Sequence, residues 1–219
     1  GISTYEQVEK VLPKDYSPLL DHKQTMRALY QVKRGIEDGL ARELNLQLVQ
    51  VPLIVDSASG FNDTLDRDGS RTPVEFPCGL GLETPLRAQV VQAATKWKRF
   101  ALKQFGCEPG EGINTDMRAV RKDYFLDHDH SSYVDQWDWE KVITPEQRNL
   151  AYLKDTVEKI WKVIRDTGNQ VRQDFPILAE KLPALPQELK FLHAEDLLAM
   201  YPDLPRKERE TKMLQEFGA

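Results

Sequence analysis

Between Tyr133 and Glu140 the chain reads Tyr-Val-Asp-Gln-Trp-Asp-Trp-Glu, a run dense in both indoles and carboxylates. As extended chain it sorts by parity: Tyr133, Asp135, Trp137 and Trp139 share one face, while Val134, Gln136, Asp138 and Glu140 share the other. Three polar groups in a row on one face of an aromatic-rich strand must meet a polar cavity or solvent. The reading is a strand over 131–140 with a neighbour over 112–121, joined by a loop dense in Asp, His and Lys. A sheet carrying that face has to be built into the fold.

The rest of the chain supplies helices around it. After a polar leader over 1–20, with one short helical stretch around Glu6 to Leu12, Asp21 is a plausible N-cap. Met26, Leu29, Val32, Ile36, Leu40 and Leu44 then recur at helical spacing. Gly35 and Gly39 weaken that helix by about 1 kcal/mol each unless close packing offsets the loss. A strand is expected over 46–55, with Pro52 hinting at an edge or an interface. A polar loop follows over 56–72, long enough to be functional. A connection over 78–85 comes next, with Gly79-Leu80-Gly81 as a turn, then a short strand over 88–91 and a helix over 93–105 closed by Gly106. Thr144-Pro145-Glu146-Gln147 is a helix start, and the helix runs to about Thr167. A strand over 187–192, a short helix over 193–201 and a charged final helix over 205–217 complete the order, which suits an α+β domain over 21–219.

Composition narrows the classes. The 219 residues carry 30 Lys and Arg against 35 Asp and Glu, a formal charge of -5, which disfavours general nucleic-acid binding. No apolar run has the ~18–20 residues of a membrane span, and no export signal is recognisable at the N-terminus, so the expected compartment is the cytoplasm. Two cysteines, Cys78 and Cys107, make neither a disulfide framework nor a four-thiolate metal site, and both are expected to stay reduced.

The Trp-acid strand resembles a signature of the ammonia-dependent asparagine synthetases, or aspartate–ammonia ligases. Three further stretches agree in order: Thr95-Lys96-Trp97-Lys98-Arg99; Gly110-Glu111-Gly112-Ile113 leading into Met117-Arg118-Ala119-Val120-Arg121; and Tyr201-Pro202-Asp203-Leu204 before Lys207-Glu208-Arg209-Glu210. The resemblance runs from about residue 22 onward. It implies a fold similar to the catalytic domain of class II aminoacyl-tRNA synthetases, with an antiparallel sheet flanked by helices, assembled as a homodimer. It also implies a reaction joining aspartate and ammonia at the expense of ATP, brought in with Mg2+, through a β-aspartyl-adenylate that releases AMP and pyrophosphate. No tightly bound cofactor, nucleic acid or membrane partner is expected.

The resemblance assigns roles as well. Arg121 is similar to the arginine that meets the charge building on the α-phosphate. Gln136 and Asp138 match the residues that hold the substrate's α-ammonium end, and Lys98 a lysine on its carboxylate side. Asp63 aligns with an aspartate beside the β-carboxyl, able to guide ammonia or take a proton from ammonium. His130 and Ser131 match a pair bordering the nucleotide. Read singly, Asp138 is a surface acid, Lys98 a solvated helix charge, Asp63 a turn residue and Arg121 half of a surface pair. In Asp127-His128-Asp129-His130, the four neighbouring residues lie in a short turn and are not all expected to converge on one ion, so no metal site is assigned.

Three departures fall near the expected pocket. The loop around Asp63 reads Ala58-Ser59-Gly60-Phe61-Asn62-Asp63-Thr64-Leu65 in place of a Gly-Asp-Gly run ahead of Gln-Asp-Asn-Leu. Gln92-Ala93 stands where the family has His-Ser, and Lys122-Asp123-Tyr124 where it has Pro-Asp-Glu. The family also continues past the position of Ala219 with further strands and an ATP-clamping arginine, which implies little synthetase activity from these residues by themselves. The rival readings are a non-catalytic paralogue that binds an amino acid or nucleotide or serves as an interaction module, and an aminoacyl-tRNA synthetase relative.

Overall fold

The computed structural model of the chain describes residues 12–124 and 126–218. Apart from Leu12, the leader helix expected around Glu6 to Leu12 lies outside them. The chain separates into two compact units: one contains residues Glu37–Asn149, the other Leu19–Ile36 together with the chain from Leu150 on.

Helix α1 (His22–Leu44) begins where expected. The Asp21 carboxylate accepts from the Gln24 amide at 2.7 Å and the Gln24 side chain accepts from the Asp21 amide at 3.1 Å, a reciprocal cap that satisfies two orphan donors. In the first unit, β1 (Leu46–Gln50), β5 (Gly112–Val120) and β6 (Tyr133–Lys141) form one sheet in the order β1-β5-β6. β1 runs parallel to β5, and β5 antiparallel to β6, so this sheet is mixed rather than antiparallel throughout. A second sheet, antiparallel, has the order β2-β4-β3, from β2 (Ile54–Asp56), β3 (Glu75–Cys78) and β4 (Leu86–Val90). The strand expected over 46–55 is therefore two strands in two sheets. Pro52 has no amide proton to continue the ladder, and the chain changes sheets there: the Val51 amide still reaches the Asp116 carbonyl (3.4 Å), whereas the Leu53 carbonyl already accepts from Val91 (3.0 Å).

Helix α2 (Thr95–Gln104) lies over the β5–β6 pair. Val51, Val91, Ala94, Met117 and Ala119 form the buried core between these layers, with Val55, Trp97 and Val134 against it. β5 is the central strand and its residues Gly112–Thr115 are all buried. Gly112 is compulsory there: a Cβ would stand 2.2 Å from the Glu140 carbonyl oxygen and 2.7 Å from the Lys141 Cα. Trp137, on the opposite face of β6 from Asp138, is 38 % exposed and so is not core within this chain.

In the second unit, α3 (Leu150–Asp174) runs past the expected stop at Thr167, and α4 (Pro176–Lys181), α5 (Ala194–Met200) and α6 (Arg206–Phe217) follow. Thr144–Gln147 forms the expected cap, but on a single 3-10 turn (Pro145–Gln147) ahead of α3. Residues 187–192, expected as a strand, have no ladder partner among the described residues and run as irregular chain; a carbonyl there is used instead, where Arg165 donates to the Gln187 oxygen at 2.7 Å. Ala28, Val171 and Phe175 form this unit's core, with Leu20, Val32 and Leu178. Gly35 allows the close approach its position suggested: a Cβ there would meet Thr167 Cγ2 at 2.7 Å.

Candidate functional site

The register of β5 and β6 sets out the site. Gln136 stands opposite Met117, Asp138 opposite Thr115 and Glu140 opposite Ile113. By the period of two, the odd residues of β5, and Arg121 just beyond its end, share their face. Helix α2 covers one end of that face and presents Lys98, which lies one turn inside its N-terminus. The Lys98 side chain is 5 % exposed; its Nζ lies 2.5 Å from Asp138 Oδ1 and 3.5 Å from Glu140 Oε2, and Glu140 also faces Arg99 at 3.7 Å. A buried ammonium is tolerated only when paired and hydrogen-bonded, so the helix is fixed against the strand by this contact. Thr115 Oγ1 donates to the Asp138 carbonyl and pins the backbone behind the pair. Gln136 makes no side-chain hydrogen bond among the described residues.

Arg121 marks the other end of the same face, six residues along from Thr115, or about 20 Å of extended chain. Its amide donates to the Ser132 carbonyl (2.7 Å), and its Nε donates to the Gln92 carbonyl (3.1 Å). Among the described residues its terminal amino groups hold no partner.

The polar loop over 57–72 docks on the segment between β4 and α2. Asn62 donates to the Val90 carbonyl at 3.0 Å and accepts from the Gln92 amide at 2.8 Å. The Asp63 carboxylate accepts from the Thr95 amide at 2.7 Å and from the Lys96 amide at 3.3 Å, which makes it the cap of α2, the helix that carries Lys98. A carboxylate offers about four acceptor positions, so two remain after the cap. The sequence placed Asp63 in the right loop but not on the helix, because its partners lie more than thirty residues away.

The loop continues to a second attachment around the departures at 122–124. Asp123 Oδ2 accepts from the Thr72 amide (3.0 Å), the Thr72 hydroxyl (2.9 Å) and Lys122 Nζ (2.8 Å), with Lys122 also donating to the Thr72 hydroxyl at 2.7 Å. The Lys122 bond first, then those from Thr72, pull the Asp123 carboxyl down to about 2. The Arg71 guanidinium sits over the Tyr124 ring at 5.2 Å and is held by Asp66 at 2.6 and 2.9 Å; the Tyr124 ring lies 5.4 Å from that of His130.

His130 and Ser131 stand just before β6. Asp127, Asp129 and His130 offer ligand atoms within 4.8 Å of one another, and His128 does not join them. His130 Nδ1 lies 2.7 Å from Asp127 and 2.8 Å from Asp129, and the bond to Asp127 raises the imidazole above its ordinary value. The Ser131 hydroxyl accepts from the Tyr133 amide at 3.2 Å.

The model of the aspartate-ammonia ligase family matches residues 23–219 of the chain. The chain belongs to that family. Aspartate–ammonia ligases of Clostridium perfringens (strain SM101) and Bacteroides thetaiotaomicron are each 44% identical to it, over 208 and 210 residues. That of Lactiplantibacillus plantarum is 40% identical over 209. These matches take in 95% of the chain but 60%, 59% and 62% of the relatives, so this aspartate-ammonia ligase family chain spans about three fifths of their length. Among solved structures it is similar to Entamoeba histolytica asparaginyl-tRNA synthetase in complex with asparaginyl-adenylate, with a TM-score of 0.56 at 14% identity, covering 97% of this chain and 48% of that one. A second structure of the same synthetase gives 0.52, covering 90% of this chain and 42% of that one. At that identity the likeness establishes the fold, as expected, and nothing about ligands.

Proposed function

We propose that this chain carries the amino-acid pocket and part of the nucleotide site of an enzyme that ligates aspartate and ammonia to asparagine, consuming ATP and releasing AMP and pyrophosphate through a β-aspartyl-adenylate. The observation that carries this reading is the Lys98–Asp138 pair beside an uncommitted Gln136 on one sheet face. An amino acid presents an ammonium and a carboxylate; a pre-formed pair of opposite charges offers each a counter-ion without new desolvation of the protein.

In this reading Asp138 and Gln136 hold the α-ammonium end and Lys98 meets a substrate carboxylate. Arg121, with donors uncommitted, neutralises the α-phosphate as the β-carboxylate oxygen attacks phosphorus. Pyrophosphate leaves and the acyl carbon becomes electrophilic. Ammonia attacks that carbon, AMP departs with the oxygen, and the extra proton goes to a nearby base. Asp63, with two acceptor positions left by its cap, receives ammonium and takes the proton. His130 and Ser131 border the nucleotide, and Mg2+ arrives bound to ATP. The relatives' names, aspartate–ammonia ligases, support this assignment. A homodimer in the cytoplasm is the matching assembly and place; the exposed Trp137 and Tyr133 on the outer face of β6 give a partner somewhere to pack.

The test is isotopic. With aspartate carrying 18O in its β-carboxylate, ATP and ammonium, mass spectrometry should find one labelled oxygen in AMP, even if turnover is slow. ADP as the nucleotide product, or AMP without label, would contradict the adenylate route.

A further inference from the structure

Gln92 is 2 % exposed and touches both groups that flank the reacting centre in the reading above. Its side-chain Nε2 donates to the Asp63 carbonyl at 3.0 Å, its amide donates to Asn62 Oδ1 at 2.8 Å, and its own carbonyl accepts from Arg121 Nε at 3.1 Å. A carbonyl can only accept, so the bond to Asp63 fixes which end of the Gln92 amide points where. The other end, Oε1, is buried with no partner among the described residues. A buried polar atom ordinarily has at least one hydrogen-bond partner; here the amide end that has one is the end that holds Asp63.

We propose that Gln92 is a positioning residue that registers the Asp63 loop against Arg121. The division of labour within it is specific. Arg121 rests on the main-chain carbonyl, which no substitution removes, while the Asp63 carbonyl is held by the side-chain amide, beside the bond from the Asp63 amide to the Ala93 carbonyl at 3.2 Å. Two elements distant in sequence, the loop after β2 and the end of β5, are thereby referred to one residue between β4 and α2. Through Asp63 the effect reaches the α2 cap at Thr95 and Lys96, and so the helix carrying Lys98. The inference rests on the proposed roles of Asp63 and Arg121, but its structural core can be tested without them.

Gln92→Met keeps the length and loses the donor; Gln92→His restores an N–H of comparable reach. In amide hydrogen exchange of the 219-residue chain, Gln92→Met is expected to speed exchange at Thr95 and Lys96 about tenfold while amides of β5, such as Met117 and Ala119, keep their protection. Gln92→His is expected to recover most of the loss. ATP affinity by calorimetry should stay within about twofold of the unaltered chain in both variants, since the Arg121 contact is to the backbone. Unchanged exchange at Thr95 in Gln92→Met would overturn the proposal. So would equal loss of protection in β5, which makes Gln92 a general support of the fold, or a histidine variant as loose as the methionine one. Failure of the function reading looks different: AMP without label from 18O-aspartate, with the exchange pattern intact.

Discussion

Lys98 shows how far one side chain can decide a site. Almost removed from solvent, it is held between Asp138 and Glu140, and without them its ammonium would be a poorly compensated buried charge. His130 gives the residue scale its pH test. The hydrogen bond to Asp127, joined by the Asp129 charge, raises the imidazole above its ordinary value. The charged cluster therefore contributes fully below the unfolded value of about 6.5 and fades as pH rises through the raised folded value. An NMR titration of the His130 ring should show a midpoint above 6.5 that falls back in Asp127→Asn; a midpoint unmoved by that substitution would contradict the assignment. The sequence made most of these residues legible, because a period-two run with indoles and acids puts Gln136 and Asp138 on one face without any coordinates. It could not reveal what they touch. Gln92 looked only like a departure, and Asp123 and Tyr124 like lost positions. Each takes its meaning from a partner in another segment, Asp63, Thr72 or Arg71.

At the scale of elements, patterns with a period were readable and patterns made by pairing were not. The Asp21 cap, α1, α2 and the β5–β6 pair follow from local chemistry. Residues 46–55 are apolar enough for one strand, yet the sheet change at Pro52 depends on Asp116 and Val91, which the local sequence does not contain. Residues 187–192 pair with no strand among the described residues, and Trp161 and Arg165 of α3 take the Pro186 and Gln187 carbonyls instead. Gly35 tests the packing of α1 against α3 in the second unit. Gly35→Ala gains about 1 kcal/mol of helix propensity, but its Cβ would overlap the stiff Thr167 side chain, so a net loss of about 1–2 kcal/mol is expected. Adding Thr167→Ala should recover it. Urea unfolding of the single and double variants checks this, and additive effects of the two changes would contradict the contact.

On the scale of the whole chain, family and fold agree with what the motifs implied, since several co-ordered stretches each tie a residue type to a structural position. The chain covers about three fifths of its relatives, and the residues of the proposed amino-acid pocket, from Asp63 to Glu140, fall inside that span. If the pocket is built from Lys98, Gln136 and Asp138, it should take its amino acid without help from the rest of the reaction. The most direct measurement is calorimetric titration of aspartate into this chain and into Asp138→Asn, which keeps the shape but removes the counter-charge for the α-ammonium. The account expects one aspartate site in the unaltered chain, weakened at least tenfold in the variant while the fold's circular dichroism is unchanged. Equal aspartate affinity in the two proteins would contradict it.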